Sequence, residues 1–318
     1  MLPRSVSMPD GMTNATSLAD LLGPLAEVLD AADTVEISCN PDGRVFVERF
    51  GAPASCWGTL EAGRTSRFVR WCATLSETAV TGDRPILSGR IPGTAHRIEA
   101  LLPPVTDGPC FSIRRHRDTV PGLEECVPED VPRRILAEAI AARQNVLIAG
   151  ATGAGKTTLL NACLGEMERI APETRLLVIE DTPEIRSPFG NSVALRTSDG
   201  VTMDRLLVSA LRQAPDRIVV GEVREGSVLL TLIKAWNTGH PGGLVTLHAN
   251  SADEVIDRLS LLATEVMTAD PVPVLMQATD LVVFIRRDTG RPVLSSIRAA
   301  VRDPDGVTRL EERYEHPS

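Results

Sequence analysis

Aromatic side chains are scarce in this sequence, making up 3% of its 318 residues. A chain so poor in large rings must build its cores mainly from Leu, Val, Ile and Ala. Long apolar runs are also missing. The longest clean ones, such as Leu281–Ile285, are of strand length and far short of the ~18 apolar residues of a membrane span. Any membrane association is therefore expected to be peripheral. Met1 to Asp10 carries Pro and Ser but no apolar segment of the kind a signal peptide needs. Clustered cysteines are lacking too: Cys39, Cys56, Cys72, Cys110, Cys126 and Cys163 include no CxxC pair. That excludes a zinc knuckle and reads as six reduced, small hydrophobic residues of a cytosolic protein. Basic charge is in deficit, with Lys+Arg 33 against Asp+Glu 42 and a net charge of −9. Such a balance argues against coating nucleic acid by bulk charge and leaves room only for a local basic groove. With 43% hydrophobic and 24% charged residues, a disordered chain, a collagen-like repeat and a coiled-coil rod are all excluded.

What is present divides the chain in two. Residues 1–15, rich in Pro, Ser, Met and Gly, read as a flexible leader. Between Ser17 and Leu29, Leu18, Leu21, Leu22, Leu25, Val28 and Leu29 recur at helical spacing. Val35–Cys39 alternates as a strand does, Asn40-Pro-Asp-Gly43 is a turn, and Val45–Arg49 completes a hairpin. Phe68–Leu75 reads as helix, and Arg97–Leu102 and Cys110–Arg114 as further strands. Residues 16–117 are thus expected to form a small α+β domain. The stretch 118–131, with Pro121, Gly122, Pro128 and several acids, reads as a linker. Pro132 opens a helix with Ile135, Leu136, Ala139 and Ile140 on one face. From there to residue 318, short apolar runs alternate with helical stretches: Val146–Ala149, Leu176–Ile179, Ile218–Val220, Leu244–Leu247 and Leu281–Ile285. Runs this apolar are strands covered on both faces, hence a mainly parallel α/β sheet.

Four motifs carry chemistry. Gly150-Ala151-Thr152-Gly153-Ala154-Gly155-Lys156-Thr157, followed by Thr158, fits G-x-x-x-x-G-K-[ST] and lies between a strand and a helix. Its glycines let backbone N–H groups curl around a phosphate, and the helix N-terminus adds partial positive charge. Lys156 is expected to reach the β- and γ-phosphates of ATP, and Thr157 to bind Mg²⁺. Second, the apolar strand in Arg217-Ile-Val-Val-Gly-Glu222-Val-Arg224 ends in an acid able to hold hydrated Mg²⁺ through water or to orient an attacking water. Third, Leu177-Val-Ile-Glu180-Asp181-Thr-Pro-Glu184 places acids after another strand, either beside the same ligand or in a solvated turn. Fourth, Gly242-Gly-Leu-Val-Thr-Leu-His248-Ala-Asn250 puts His248 at one more strand end. Glu180, Glu184, Glu222 and His248 are the catalytic candidates, and the residue pattern does not say which carboxylate activates water.

The order of these motifs resembles that of the secretion and pilus traffic ATPases. Leu232-Ile-Lys-Ala-Trp-Asn-Thr-Gly-His-Pro-Gly-Gly243 is similar to the conjugal-transfer ATPases of the TrbB type, in the type IV secretion branch. Asn40–Arg49, Asp83-Arg-Pro-Ile86 and Leu101-Leu-Pro-Pro104 resemble that family's first domain. Thr94-Ala-His-Arg97 departs from its pattern, and the tail after Asp288 matches nothing in it. The resemblance covers about residues 18–290. It implies a RecA-like P-loop ATPase domain, a homo-hexamer, and inner-membrane channel components as partners, at the cytoplasmic face of the membrane; the net charge of −9 argues against stable nucleic-acid binding. The resemblance also implies that Arg97 and Arg114, in the first domain, close over the nucleotide. A pilus or type II secretion ATPase is an alternative within the class. An assembly scaffold with little turnover and a DNA-tracking motor are alternatives outside it.

Overall fold

A computed structural model describes residues 17–76, 78–116, 119–198, 200–289, 291–302 and 308–317. The leader expected over residues 1–15 lies outside them. The chain divides into two compact units, Met1–Asp118 and Thr119–Ser318.

The first unit contains α1 (Leu18–Leu22), α2 (Pro24–Asp30), β1 (Thr34–Cys39), β2 (Arg44–Arg49), β3 (Ala52–Thr59), α3 (Ala62–Leu75), β4 (Ile86–Arg90), β5 (Arg97–Leu101) and β6 (Cys110–Arg114). The single helix expected from Ser17 to Leu29 is two. Gly23 adopts φ 59° and Pro24 starts the second helix, so the ladder breaks where an N–H is missing and a left-handed residue turns the chain. The strands form one antiparallel sheet in the order β3-β2-β1-β6-β5-β4. One face buries Ile37, Val45, Val47, Ile98, Ala100, Phe111 and Ile113 in a core with Leu25, Leu29, Phe68 and Val69 from the helices. Phe68 and Phe111 meet edge to face at 5.3 Å, a good use of two of the few aromatic rings. The edge strands β3 and β4 were not legible in the sequence. β3 is exposed almost throughout and so carries no apolar alternation.

The second unit contains α4 (Leu123–Cys126), α5 (Asp130–Ala141), β7 (Val146–Gly150), α6 (Lys156–Ile170), β8 (Leu176–Glu180), β9 (Ser192–Arg196), α7 (Met203–Ala210), β10 (Arg217–Val220), α8 (Gly226–Asn237), β11 (Leu244–His248), α9 (Glu254–Thr264), α10 (Val272–Ala278), β12 (Leu281–Asp288), β13 (Arg291–Arg302) and β14 (Thr308–Glu315). The sheet order is β14-β13-β12-β7-β11-β10-β8-β9. From β12 to β9 every neighbouring pair is parallel, and β13 and β14 add antiparallel beyond β12. The expected α+β unit and mainly parallel α/β unit are both present.

Apolar residues alternate between two cores. Leu147, Ile179, Val220 and Leu247 pack with α7, α8 and α9 through Leu207, Leu232 and Leu259. Val146, Ile148, Val178 and Val219 pack with α5 and α6 through Leu136, Ile140, Leu159 and Leu160. Each such Leu or Ile contributes about 1.5–3 kcal/mol by leaving water, which explains why runs without polar interruption mark these strands. None of the six cysteines is in a disulfide, and burial pushes the Cys72 and Cys163 thiols up.

The stretch read as a linker is different in its described part, residues 119–131. It holds α4, and Leu123 and Val127 are buried beside α6 residues. Two apolar residues four apart anchor it, while its acids face water. Helix α5 starts at Asp130, so Pro132 sits in its first turn, where a missing N–H costs nothing.

Candidate functional site

Ligands of open parallel sheets bind at the carboxyl ends of the strands, and four candidate motifs converge there. β7 runs into the loop Gly150-Ala151-Thr152-Gly153-Ala154-Gly155, after which Lys156, Thr157 and Thr158 open α6. Gly153 and Gly155 adopt φ 72° and 103°, backbone that side chains disfavour. The β12–β13 hairpin packs on this loop. A Cβ on Gly150 would collide with the Ile285 carbonyl oxygen, and one on Gly155 would stand 3.0 Å from the Pro292 ring. Arg287 Nε donates to Gly153 O at 2.8 Å. Pro292 lies beyond Asp288, in the stretch expected to match nothing in the family, and this residue helps shape the loop.

Lys156 is only 7% exposed. Its ammonium donates to Gly150 O at 2.9 Å and Ala151 O at 3.0 Å, and lies 3.1 Å from His248 Nδ1. An ammonium can only donate, so Nδ1 accepts and the ring proton belongs on Nε2. Partial burial, then the neighbouring Lys156 charge, lowers the His248 pKa from its ordinary value, which keeps the ring neutral. His248 ends β11, and its Nε2 lies 2.8 Å from Glu222 Oε1. Glu222 follows β10 and accepts from Arg224 Nη2 at 2.7 Å through Oε2.

The acids after β8 have separate tasks. Glu180 is buried, and its Oε2 accepts the Glu184 and Ile185 backbone N–H groups at 3.1 and 2.9 Å. Burial raises its pKa against those two bonds. Glu184 Oε2 accepts the Thr157 hydroxyl at 3.1 Å. Asn161 clamps the same turn, donating to Glu184 O and accepting from Arg186 N. Asn161 was missed in the sequence, although it follows Thr157 at i+4 on the same helix face. Arg97 and Arg114 lie in the first unit as direct cross-strand partners of β5 and β6.

The family model for type II/IV secretion system proteins matches residues 62–302, and so runs past Asp288 into the stretch expected to match nothing. The chain belongs to that family. Among relatives of this type II/IV secretion system protein, the conjugal transfer protein TrbB of Rhizobium radiobacter is 44% identical over 275 residues, 85% of each chain. The type IV secretion system protein PtlH of Bordetella pertussis is 32% identical over 305 residues, 83% of this chain and 88% of the relative. The X-ray structure of the Yersinia pseudotuberculosis ATPase DotB shares the fold, with a TM-score of 0.61 at 17% identity, covering 93% of this chain and 79% of that one. In this secretion-system chain, Lys156, Thr157, Glu184, Glu222 and His248 thus stand at the carboxyl ends of the strands and bring a cation, a hydroxyl, two carboxylates and an imidazole together there. No helix among the described residues is long and apolar enough to cross a membrane.

Proposed function

We propose that the chain binds and hydrolyses Mg-ATP as a hexameric motor for a conjugation or type IV secretion apparatus, attached peripherally at the inner face of the cell membrane. One observation carries the reading: the loop lysine, the Thr157–Glu184 pair and the Glu222–His248 pair gather at one strand edge through contacts of 2.8–3.1 Å. The TrbB and PtlH relatives supply the transport context.

Magnesium is held through hard oxygens, usually one or two from protein with the rest from phosphates and water. The donor set fits. Thr157 offers a hydroxyl lone pair while its O–H donates to Glu184, and Glu222 could hold the ion through water. Bound there, the ion would neutralise charge on the β- and γ-phosphates. The protein's own residues do the rest. The loop N–H groups and Lys156 hold the phosphates, exchanging Lys156's present acceptors for phosphate oxygens. Glu222 takes the proton of the attacking water, a role for which it is better placed than its neighbours. Glu180 is committed to backbone N–H groups and Glu184 to Thr157. His248 links Lys156 to Glu222 and so relates phosphate occupancy to the carboxylate.

Phosphate release and light scattering on one preparation test this reading. Steady release from Mg-ATP by a six-subunit particle is expected. Binding without release would favour an assembly scaffold, and only monomer at micromolar protein with Mg-ATP would count against the motor.

Arg97 and Arg114 would reach the γ-phosphate from the first unit. Two arginines opposed across a strand pair repel, and neither side chain makes a hydrogen bond or ion pair within the described part of its unit, an arrangement that an anion would relieve. A charge-assisted bond is worth about 1.5–3 kcal/mol. Arg97→Ala and Arg114→Ala are therefore each expected to cut the ATP-over-ADP affinity ratio about tenfold or more while sparing ADP. A ratio equal to wild type in both variants would return them to ordinary surface arginines.

A further inference from the structure

The backbone around Glu222 is pinned by its neighbours. Gly221 N donates to Ile179 O at 2.8 Å, Thr246 Oγ1 donates to Gly221 O at 2.6 Å, and Val223 N donates to Thr246 O at 3.0 Å. Gly221 also brings β10 close to β8, since a Cβ there would stand 3.0 Å from that of Glu180. What is left to set is the direction of the Glu222 carboxylate. His248 approaches Oε1 to 2.8 Å but too obliquely for a hydrogen bond, and Oε1 accepts none among the described residues. The aligned bond is the one from Arg224 to Oε2. The other arm of the same guanidinium, Nη1, lies 3.5 Å from Asp181 Oδ2 in the turn after β8. One planar fork thus spans two adjacent strand ends. Arginine suits this task because its donors are fixed relative to one another.

Stability does not account for the bridge. Arg224 is 58% exposed and Asp181 41%, and ion pairs so open to water contribute ~0–1 kcal/mol. We propose that Arg224 is a positioning residue for hydrolysis: braced on Asp181, it holds Glu222 Oε2 and thereby turns Oε1 toward His248 and the loop lysine. The inference rests on the reading of Glu222 as the residue that activates water. In this role Arg224 acts through the direction of the Glu222 carboxylate, so it acts on turnover and leaves binding alone.

The test uses the full chain with Mg-ATP, measuring kcat and KM, calorimetric affinities for ADP and a non-hydrolysable ATP analogue, and melting temperature. Arg224→Ala is expected to lower kcat about 10–100-fold with both affinities within about twofold of wild type, the pattern of an interaction made only in the transition state. Arg224→Lys, which keeps the charge and loses the fork, is expected to recover part of that rate. Asp181→Asn is expected to lower kcat about 2–5-fold, and to cost nothing further when combined with Arg224→Ala, because the two act as one unit. Unchanged kcat in Arg224→Ala, parallel loss of affinity and kcat, or Arg224→Lys as slow as Arg224→Ala would each overturn the proposal. If Arg224→Ala fails to fold, Arg224→Lys and Asp181→Asn decide, and wild-type rates in both overturn it. Glu222→Gln is assayed alongside. If that variant turns over normally, the reading of Glu222 fails; if it is inactive while Arg224→Ala is normal, only the role of Arg224 fails.

Discussion

Lys156→Ala is expected to abolish phosphate release from Mg-ATP, with a loss of at least ~10²-fold, in the range seen when one preorganised donor is removed from a developing charge. ATP affinity should fall about tenfold or more, since a charged hydrogen bond worth about 1.5–3 kcal/mol disappears. The substitution also leaves the carbonyls of Gly150 and Ala151 and His248 Nδ1 without the ammonium they now share. Melting temperature must therefore be measured with the kinetics. A folded variant with the wild-type rate would mean that the loop does not hold the reacting phosphates.

Glu222→Gln separates binding from chemistry. ATP affinity is expected to stay close to wild type, while kcat falls about 10²–10⁴-fold, the usual contribution of a general base. An amide keeps the shape but offers one acceptor oxygen. It can satisfy Arg224 or face the Nε2 proton of His248, and it cannot take a proton from water at neutral pH. Equal loss of affinity and rate would point to damage of the site rather than removal of a base. The same assays on Glu180→Gln and Glu184→Gln complete the assignment. Glu184→Gln should weaken the Mg²⁺ dependence through Thr157, and Glu180→Gln should loosen the turn that its Oε2 now holds.

The glycine-rich loop was legible because everything it needs is local: glycine at the left-handed positions, Lys156 and Thr157 on the first turn, and an apolar strand before them. Glu222 and His248 could be singled out because each ends a strand, and strand ends of a parallel sheet share one edge. Dividing the work among Glu180, Glu184 and Glu222 was beyond the sequence. It depends on which oxygen meets which N–H or hydroxyl, and the three acids look alike as letters. Arg224 was visible in its string, but its contact with Asp181 exists only because β10 pairs with β8. The edge strands of the first unit were hidden for the opposite reason: with little to bury, β3 leaves no periodic trace. Leu123 and Val127 were lost in a Pro- and acid-rich stretch whose two apolar anchors are too few to show a period.

The strand order has a consequence for how the protein comes to exist. β7, which feeds the glycine-rich loop, lies between β11 and β12, and its flanking contacts reach far along the chain. Lys156 meets His248 across 92 residues, and Asn145 meets Asp280 across 135. Loop-closure entropy has to be overcome before any of these contacts forms, so such pairings form slowly. During synthesis the loop emerges long before the strands that flank it. A nascent chain ending before β11 carries the complete glycine-rich signature with neither His248 nor a strand beside β7 on that side. Ligand that binds only the native state stabilises it by mass action. Nucleotide therefore rewards completion of the whole sheet and gives nothing to the fragment that carries the motif.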